Sequence, residues 1–213
     1  MCSSDLGATW VALHARTAEM YYSGAARWDA VAELVAALAP LPVLGNGDIW
    51  SPDDALRMQR DTGCAGVVVG RACLGRPWFF ADLNAAYAGV ERPAAPTVGE
   101  VADTIREHAR LLAEHQSEHH AVLAIRKHVG WYLTGYPVGG AIRRRIVESA
   151  SMVELDERLD ELPRAVTLPD AERDRPRGTR RGPHPITLPQ GWLSAESAAP
   201  PSDTDADLAV TGG

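Results

Sequence analysis

The chain has 213 residues, 46% hydrophobic and 23% charged, with a formal net charge of −7, enough apolar material for a soluble globular core and something smaller besides. No run of roughly 18 apolar residues offers a membrane span, and the first residues lack the basic start and apolar stretch of a secretory signal, so a cytoplasmic location is expected. The cysteines Cys2, Cys64 and Cys73 are too few and too scattered for a disulfide framework or a CxxC metal site, and the acidic balance by itself argues against a nucleic-acid partner.

In chain order, Met1 to Leu6 fit no part of the pattern that follows and read as foreign to it. Trp10 to Leu13 reads as a short apolar strand, followed by a polar turn from His14 and a helix through Trp28, Val31, Leu34, Val35 and Leu38, spaced by threes and fours. Leu41 to Leu44 and Ala65 to Val69 are apolar without alternation, the pattern of parallel strands buried on both faces. Between them a helix is written out in full: Ser51 as N-cap, Pro52 at the first helical position, Asp54 three residues after the cap and Gly63 as the stop. Pro77 to Tyr87 reads as a closing helix, and Ala88 to Pro96 as a linker. A helical section follows. Its first helix carries Val98, Val101, Ile105, Ala109 and Leu112 on one face, and three more are expected over Val122–Leu133, Gly139–Ala150 and Val153–Leu162. From Pro163 the composition turns to Pro, Gly and Arg, then Ser, Asp and Ala, which reads as a mostly disordered tail over 163–213.

These elements make three β/α units, with Gly45-Asn46-Gly47-Asp48 and Gly70-Arg71 at the carboxyl ends of successive parallel strands. Glycines there let backbone N–H groups approach an anion, and Arg71 offers a planar fork to phosphate. In β/α barrels the phosphate commonly sits at the loops after the last two strands. Three units cannot close a barrel, because the sheet keeps open edges, so the chain looks amputated.

Other signals read more plainly. His115, Glu118, His119 and His120 have metal-like spacing but no third ligand in a buried setting, which points to a solvated helix end. Cys64 and Cys73 read as small buried hydrophobes, and Trp131 and Tyr132 as core rather than base-stacking residues. The basic residues Arg126, Lys127, Arg143, Arg144 and Arg145 fit a solvated helix face or contacts to RNA phosphates. Three consecutive arginines spread around a helix, so at least one reaches a neighbouring surface. Arg173, Arg175, Arg177, Arg180 and Arg181 could add loose attraction to RNA or keep a linker soluble.

Taken together, His14-Ala15-Arg16-Thr17, Tyr22-Ser23-Gly24, Trp28, Gly45-Asn46-Gly47-Asp48-Ile49, Gly63 to Ala72 and Pro77-Trp78 resemble, in order and spacing, the tRNA-dihydrouridine synthases, especially the bacterial B-type group. Arg106-Glu107-His108, Arg126 to Tyr132 and Arg143-Arg144-Arg145 look like that family's C-terminal domain. The resemblance implies an α/β TIM barrel, of which 7–90 is the C-terminal, FMN-binding part, followed by a helical tRNA-binding domain over 97–162. It further implies reduction of uridine in tRNA to 5,6-dihydrouridine with NADPH as hydride source. By position it assigns Asn46, Gly47, Asp48, Gly70 and Arg71 to the flavin and its phosphate, places His14 near the flavin, and gives Arg126, Lys127, Arg143, Arg144 and Arg145 to tRNA. The family's catalytic cysteine lies in an Asn-x-Gly-Cys-Pro loop, and its flavin lysine on strand five. This sequence holds no such loop, its only lysine is Lys127, and Ala15 stands where glycine is usual. No catalytic residue and no metal ligand is therefore assigned, and the chain is expected to be inactive by itself. Two rivals stay open: another phosphate- or flavin-binding barrel oxidoreductase, and a non-catalytic RNA-binding remnant.

Overall fold

The computed structural model describes residues 7–178 and 182–183. Met1 to Leu6, Arg180, Arg181 and everything after Pro183 lie outside the described residues, and with them the expectation of a foreign amino terminus and most of the expected tail.

Three parallel strands, β1 (Val11–His14), β2 (Val43–Asn46) and β3 (Gly66–Val68), form a sheet in the order β1-β2-β3. The register sets His14 opposite Asn46 and Asn46 opposite Val68, so the three carboxyl ends come level. Helices α1 (Trp28–Leu38), α2 (Pro52–Thr62) and α3 (Phe79–Ala88) cover the sheet around a core that includes Val31, Val43, Ile49, Met58 and Phe79. Helix α2 is fixed at both ends by its own sequence. The Ser51 hydroxyl accepts from the Asp54 amide, Asp54 accepts from the Ser51 amide at 2.9 Å, and Gly63 closes the helix in the left-handed conformation at φ 72°. Gly45 lets α2 approach the sheet: a methyl built there would lie 2.4 Å from the Met58 sulfur.

A second core joins α4 (Val98–His115), α5 (Glu118–Tyr132), α6 (Gly140–Val147) and α7 (Met152–Asp160) through Ile105, Ile125, Val129, Leu133, Ile146 and Leu155. Helix α5 starts four residues before the expected Val122, because Ser117 caps it by accepting from the His120 amide and the first turn is polar. Helix α3 starts two residues after the expected Pro77, in a turn closed by the Phe79 amide donating to the Arg76 carbonyl at 3.0 Å. The two cores meet at Gly75, whose φ is 59°. A methyl there would lie 2.3 Å from the backbone of Trp131 and Tyr132, so the turn after β3 rests directly on α5.

The expected disordered tail needs correction over 163–178. Leu168 is buried in the helical core, and the Val98 and Gly99 amides donate to the carbonyls of Val166 and Arg164 at 2.8 and 2.9 Å. Asp174 pairs with Arg92 at 2.9 Å, and Arg177 is 3% exposed. Two of the arginines that made this stretch look solvated donate into the fold, Arg173 to the Asp82 carboxylate and the Pro93 carbonyl and Arg177 to the Trp131 and Thr134 carbonyls, while Arg175 stays exposed beside Glu172.

Candidate functional site

At the carboxyl ends of the strands, polar side chains form a row across the sheet. His14 Nδ1 meets Asn46 Oδ1, and Asn46 Nδ2 donates to the Val68 carbonyl at 2.8 Å. One turn further out Asp48 organises the corner. It sits at φ 52°, a strained conformation for a residue with a side chain, and both of its carboxylate oxygens accept from Nη2 of Arg16, at 2.8 and 2.6 Å. It also accepts from the Ala26 amide at 2.7 Å and from Arg71 at 3.2 Å. Gly47 makes room for this turn, since a methyl on it would lie 2.6 Å from the Ala26 side chain, and the Trp28 indole donates to the Gly47 carbonyl at 2.9 Å.

Arg71 leaves the short 3₁₀ turn after β3, Arg71–Cys73, and lies between two rings, its guanidinium carbon 4.2 Å from the centre of Tyr22 and 4.7 Å from that of Trp50. This holds the fork in one plane, with a single hydrogen bond to Asp48 used. Burial pushes the Asp48 carboxyl up, yet the bonds from Arg16 and Ala26 and the charges of Arg16 and Arg71 outweigh it and hold it below its ordinary value. For Arg71 burial dominates over the attraction of Asp48, so its value falls below the ordinary one, and it remains a cation at neutral pH. Two guanidinium charges against one carboxylate leave the corner net positive.

A cavity of about 110 Å³ opens on this corner, and all six residues expected there line it: His14, Asn46, Gly47, Asp48, Gly70 and Arg71. Sequence reasoning did not assign Arg16, Tyr22 or Trp50 to the site. Arg16 and Tyr22 stood within the motif segments, so their signal was present; Trp50 had none beyond its place two residues after Asp48. A wider recess of about 610 Å³ adjoins the cavity, bordered by Arg16, Trp50, Arg57, Arg71 and Pro176 among others.

The five basic residues expected on the helical section divide. Arg126 donates to the Ser149 carbonyl at 2.8 Å, Arg143 donates to the Tyr136 carbonyl, and Arg145 pairs with Glu161. Lys127 and Arg144 are exposed and make no hydrogen bond or ion pair among the described residues. Cys64 is buried, while Cys73 is half-buried with its thiol 3.0 Å from the Gly70 carbonyl. Tyr132 is buried in the helical core and Trp131 is partly exposed. Among the described residues no three His, Cys, Asp or Glu side chains converge on a metal-sized site, and no helix is long and apolar enough to cross a membrane.

A family model described as dihydrouridine synthase matches residues 2–167. The probable tRNA-dihydrouridine synthase of Mycobacterium tuberculosis is 50% identical over 188 residues, 88% of this chain and 48% of the relative. That of Mycobacterium leprae is 49% identical over 188 residues, covering 88% and 49%. tRNA-dihydrouridine synthase B of Xanthomonas axonopodis pv. citri is 36% identical over 141 residues, covering 66% and 42%. The chain spans about half the length of the curated relatives it matches. Its parallel sheet with helices between the strands is in keeping with part of a β/α barrel, and with most of its length matched in this way the chain belongs to the dihydrouridine synthase family.

Proposed function

We propose that this chain is the carboxyl-terminal part of a cytoplasmic, FMN-dependent tRNA-dihydrouridine synthase of the bacterial B type: the last three units of its barrel and a helical domain that grips tRNA. The observation that carries the reading is the convergence of the three strand ends on one cavity with Arg71 at its wall. Its donor set suits a phosphate monoester. Arg71 has one guanidinium bond committed to Asp48, the corner carries a net positive charge, and a methyl on Gly70 would meet nothing within 4 Å, so backbone approach is open. His14 and Asn46, held against each other beside it, would set the edge of the flavin.

Bound FMN, reduced by NADPH, would supply the hydride that converts a tRNA uridine to 5,6-dihydrouridine. The residues of this chain would hold and orient the cofactor, with the uridine drawn out of its stack because stacking hides the reacting carbons. Neither rival reading gains a specific observation: a small-molecule oxidoreductase has no use for α4–α7, and a bare RNA-binding remnant has no use for the cavity.

The test is Arg71→Ala in a protein of full family length carrying this sequence. Losing charge-assisted bonds to the phosphate should weaken FMN binding by about 1.5–3 kcal/mol, and the protein should purify partly colourless. An unchanged flavin dissociation constant would remove the phosphate from this corner. For tRNA, the two exposed cations without an ion pair among the described residues carry the expectation. Changing Lys127 and Arg144 together to glutamine should lower the slope of log affinity against log salt by roughly 1.4–1.8, at roughly 0.7–0.9 per phosphate contact. Flavin content should not change. An unaltered slope would leave these two residues as solvated face only.

A further inference from the structure

Behind Arg71 lies a second layer that none of the motif residues accounts for. Arg76 is 1% exposed. Its guanidinium donates to the Ala72 carbonyl at 3.1 Å and to the Trp50 carbonyl at 2.8 Å, which are the residue after Arg71 and the residue whose ring lies against it. The remaining arm donates to the carbonyl of Arg173. Arg177 donates to the Trp131 carbonyl, reaches the Thr134 carbonyl at 3.4 Å, and reaches the Leu74 carbonyl at 3.5 Å, where Leu74 itself closes the turn by donating to the Arg71 carbonyl at 3.2 Å. The next residue, Gly178, has φ 81°, and a methyl on it would lie 3.4 Å from the Cγ and Cδ of Arg71. Pro176 and Gly182 border the same recess as Arg71. Arg173, Pro176, Arg177, Gly178 and Gly182 fall beyond residue 167, where the family match ends, whereas Arg76 lies within it.

We infer that residues 173–178 are a strap whose buried arginine Arg177, together with Arg76, positions Arg71 for its anion, so that the grip at the barrel depends on a segment anchored to helix α5. The inference rests on the anion-site reading above. Buried guanidinium groups that donate to backbone carbonyls fix the turn at both ends: Arg76 holds Ala72 and Trp50, Arg177 reaches Leu74, and Gly178 lies against the stem. A side chain with several rotatable bonds would otherwise lose much of its orientation to rotamer entropy. Arg76 and Arg177 touch no ligand in this scheme; they act through Arg71.

The experiment uses the 213-residue chain and nuclear magnetic resonance of the Arg71 side chain, with inorganic phosphate as the probe. In the parent chain the Arg71 Hδ signals should be shifted upfield by the Tyr22 and Trp50 rings, and phosphate should perturb them. In Arg177→Met, and in a chain ending at Pro169, the ring shift should collapse and the phosphate dissociation constant should rise about tenfold, the scale of one charge-assisted bond, while core signals from Ile105, Ile125 and Leu155 stay in place. Arg177→Lys keeps a charge and a donor and should restore part of both effects; it also decides the matter if the methionine variant does not fold. Arg175→Gln, on the strap but paired only with Glu172 at 2.8 Å, should behave as the parent. A parent chain without the ring shift, or variants that retain it, overturn the strap. Phosphate that leaves Arg71 unperturbed in the parent counts against the anion site, and the ring shift still decides the strap.

Discussion

The 213-residue polypeptide, purified as it stands and supplied with FMN and NADPH, is expected to leave uridine in unmodified tRNA unreduced. Two absences from the sequence carry this expectation. No Asn-x-Gly-Cys-Pro loop is present, and the only lysine, Lys127, lies on α5 and away from the strand ends. The cysteines within the described residues do not substitute: Cys64 is buried behind Gly45, and the Cys73 thiol faces the Gly70 carbonyl and does not line the cavity. Loss of a proton donor costs a factor of about 10² to 10⁴ in rate, and a pocket built from three strands would give the proposed flavin fewer walls. Dihydrouridine counted by mass spectrometry against a no-protein control is the measurement. Turnover above that control would mean that a group in this chain protonates the uracil ring.

How legible the fold was depended on how local its causes are. Helix α2 was readable to the residue, because Ser51, Pro52, Asp54 and Gly63 each act within one turn of themselves. The strands lie one or two residues off their expected places. By their polarity His14 and Asn46 read as turn residues, yet both belong to strands, because pairing with a neighbour sets where a strand ends and polarity does not. The same distinction runs through the site. Glycine-bearing turns announce themselves, whereas Arg16 finds Asp48 across 32 residues, and no local pattern shows which arginine will be the buried one. Composition misled most over 163–178, where Arg173 and Arg177 look like solubilising charge but donate into the fold. Likewise, Arg126 and Arg143 donate to carbonyls of the helical section and Arg145 pairs with Glu161, which is why only Lys127 and Arg144 now carry the expectation of RNA contact.

Asp48→Ala should produce the largest loss of stability of any single change at the strand ends. The Arg16 side chain is 2% exposed and the Asp48 side chain 22% exposed, so the pair is largely out of water. Without the carboxylate, Arg16 keeps only the carbonyls of Ser23 and Gly24, the Ala26 amide loses its acceptor, and Arg16 and Arg71 face each other as like charges. Breaking a buried pair by removing one partner costs about 3–5 kcal/mol, to be read as a lower denaturant midpoint with an unchanged slope. Asp48→Asn retains an acceptor and the shape of the turn and should lose less. The pH dependence supplies an independent check. Because the folded carboxyl lies below its ordinary value of 3.8, its contribution is fully present above that value and disappears as pH falls through the lower folded value. The parent chain should therefore lose stability more steeply than Asp48→Ala as pH drops below about 4. Parallel pH curves for the two proteins, or a loss under about 1 kcal/mol, would show that Asp48 behaves as an exposed surface pair and not as the keystone that holds Arg16 and Arg71 in place.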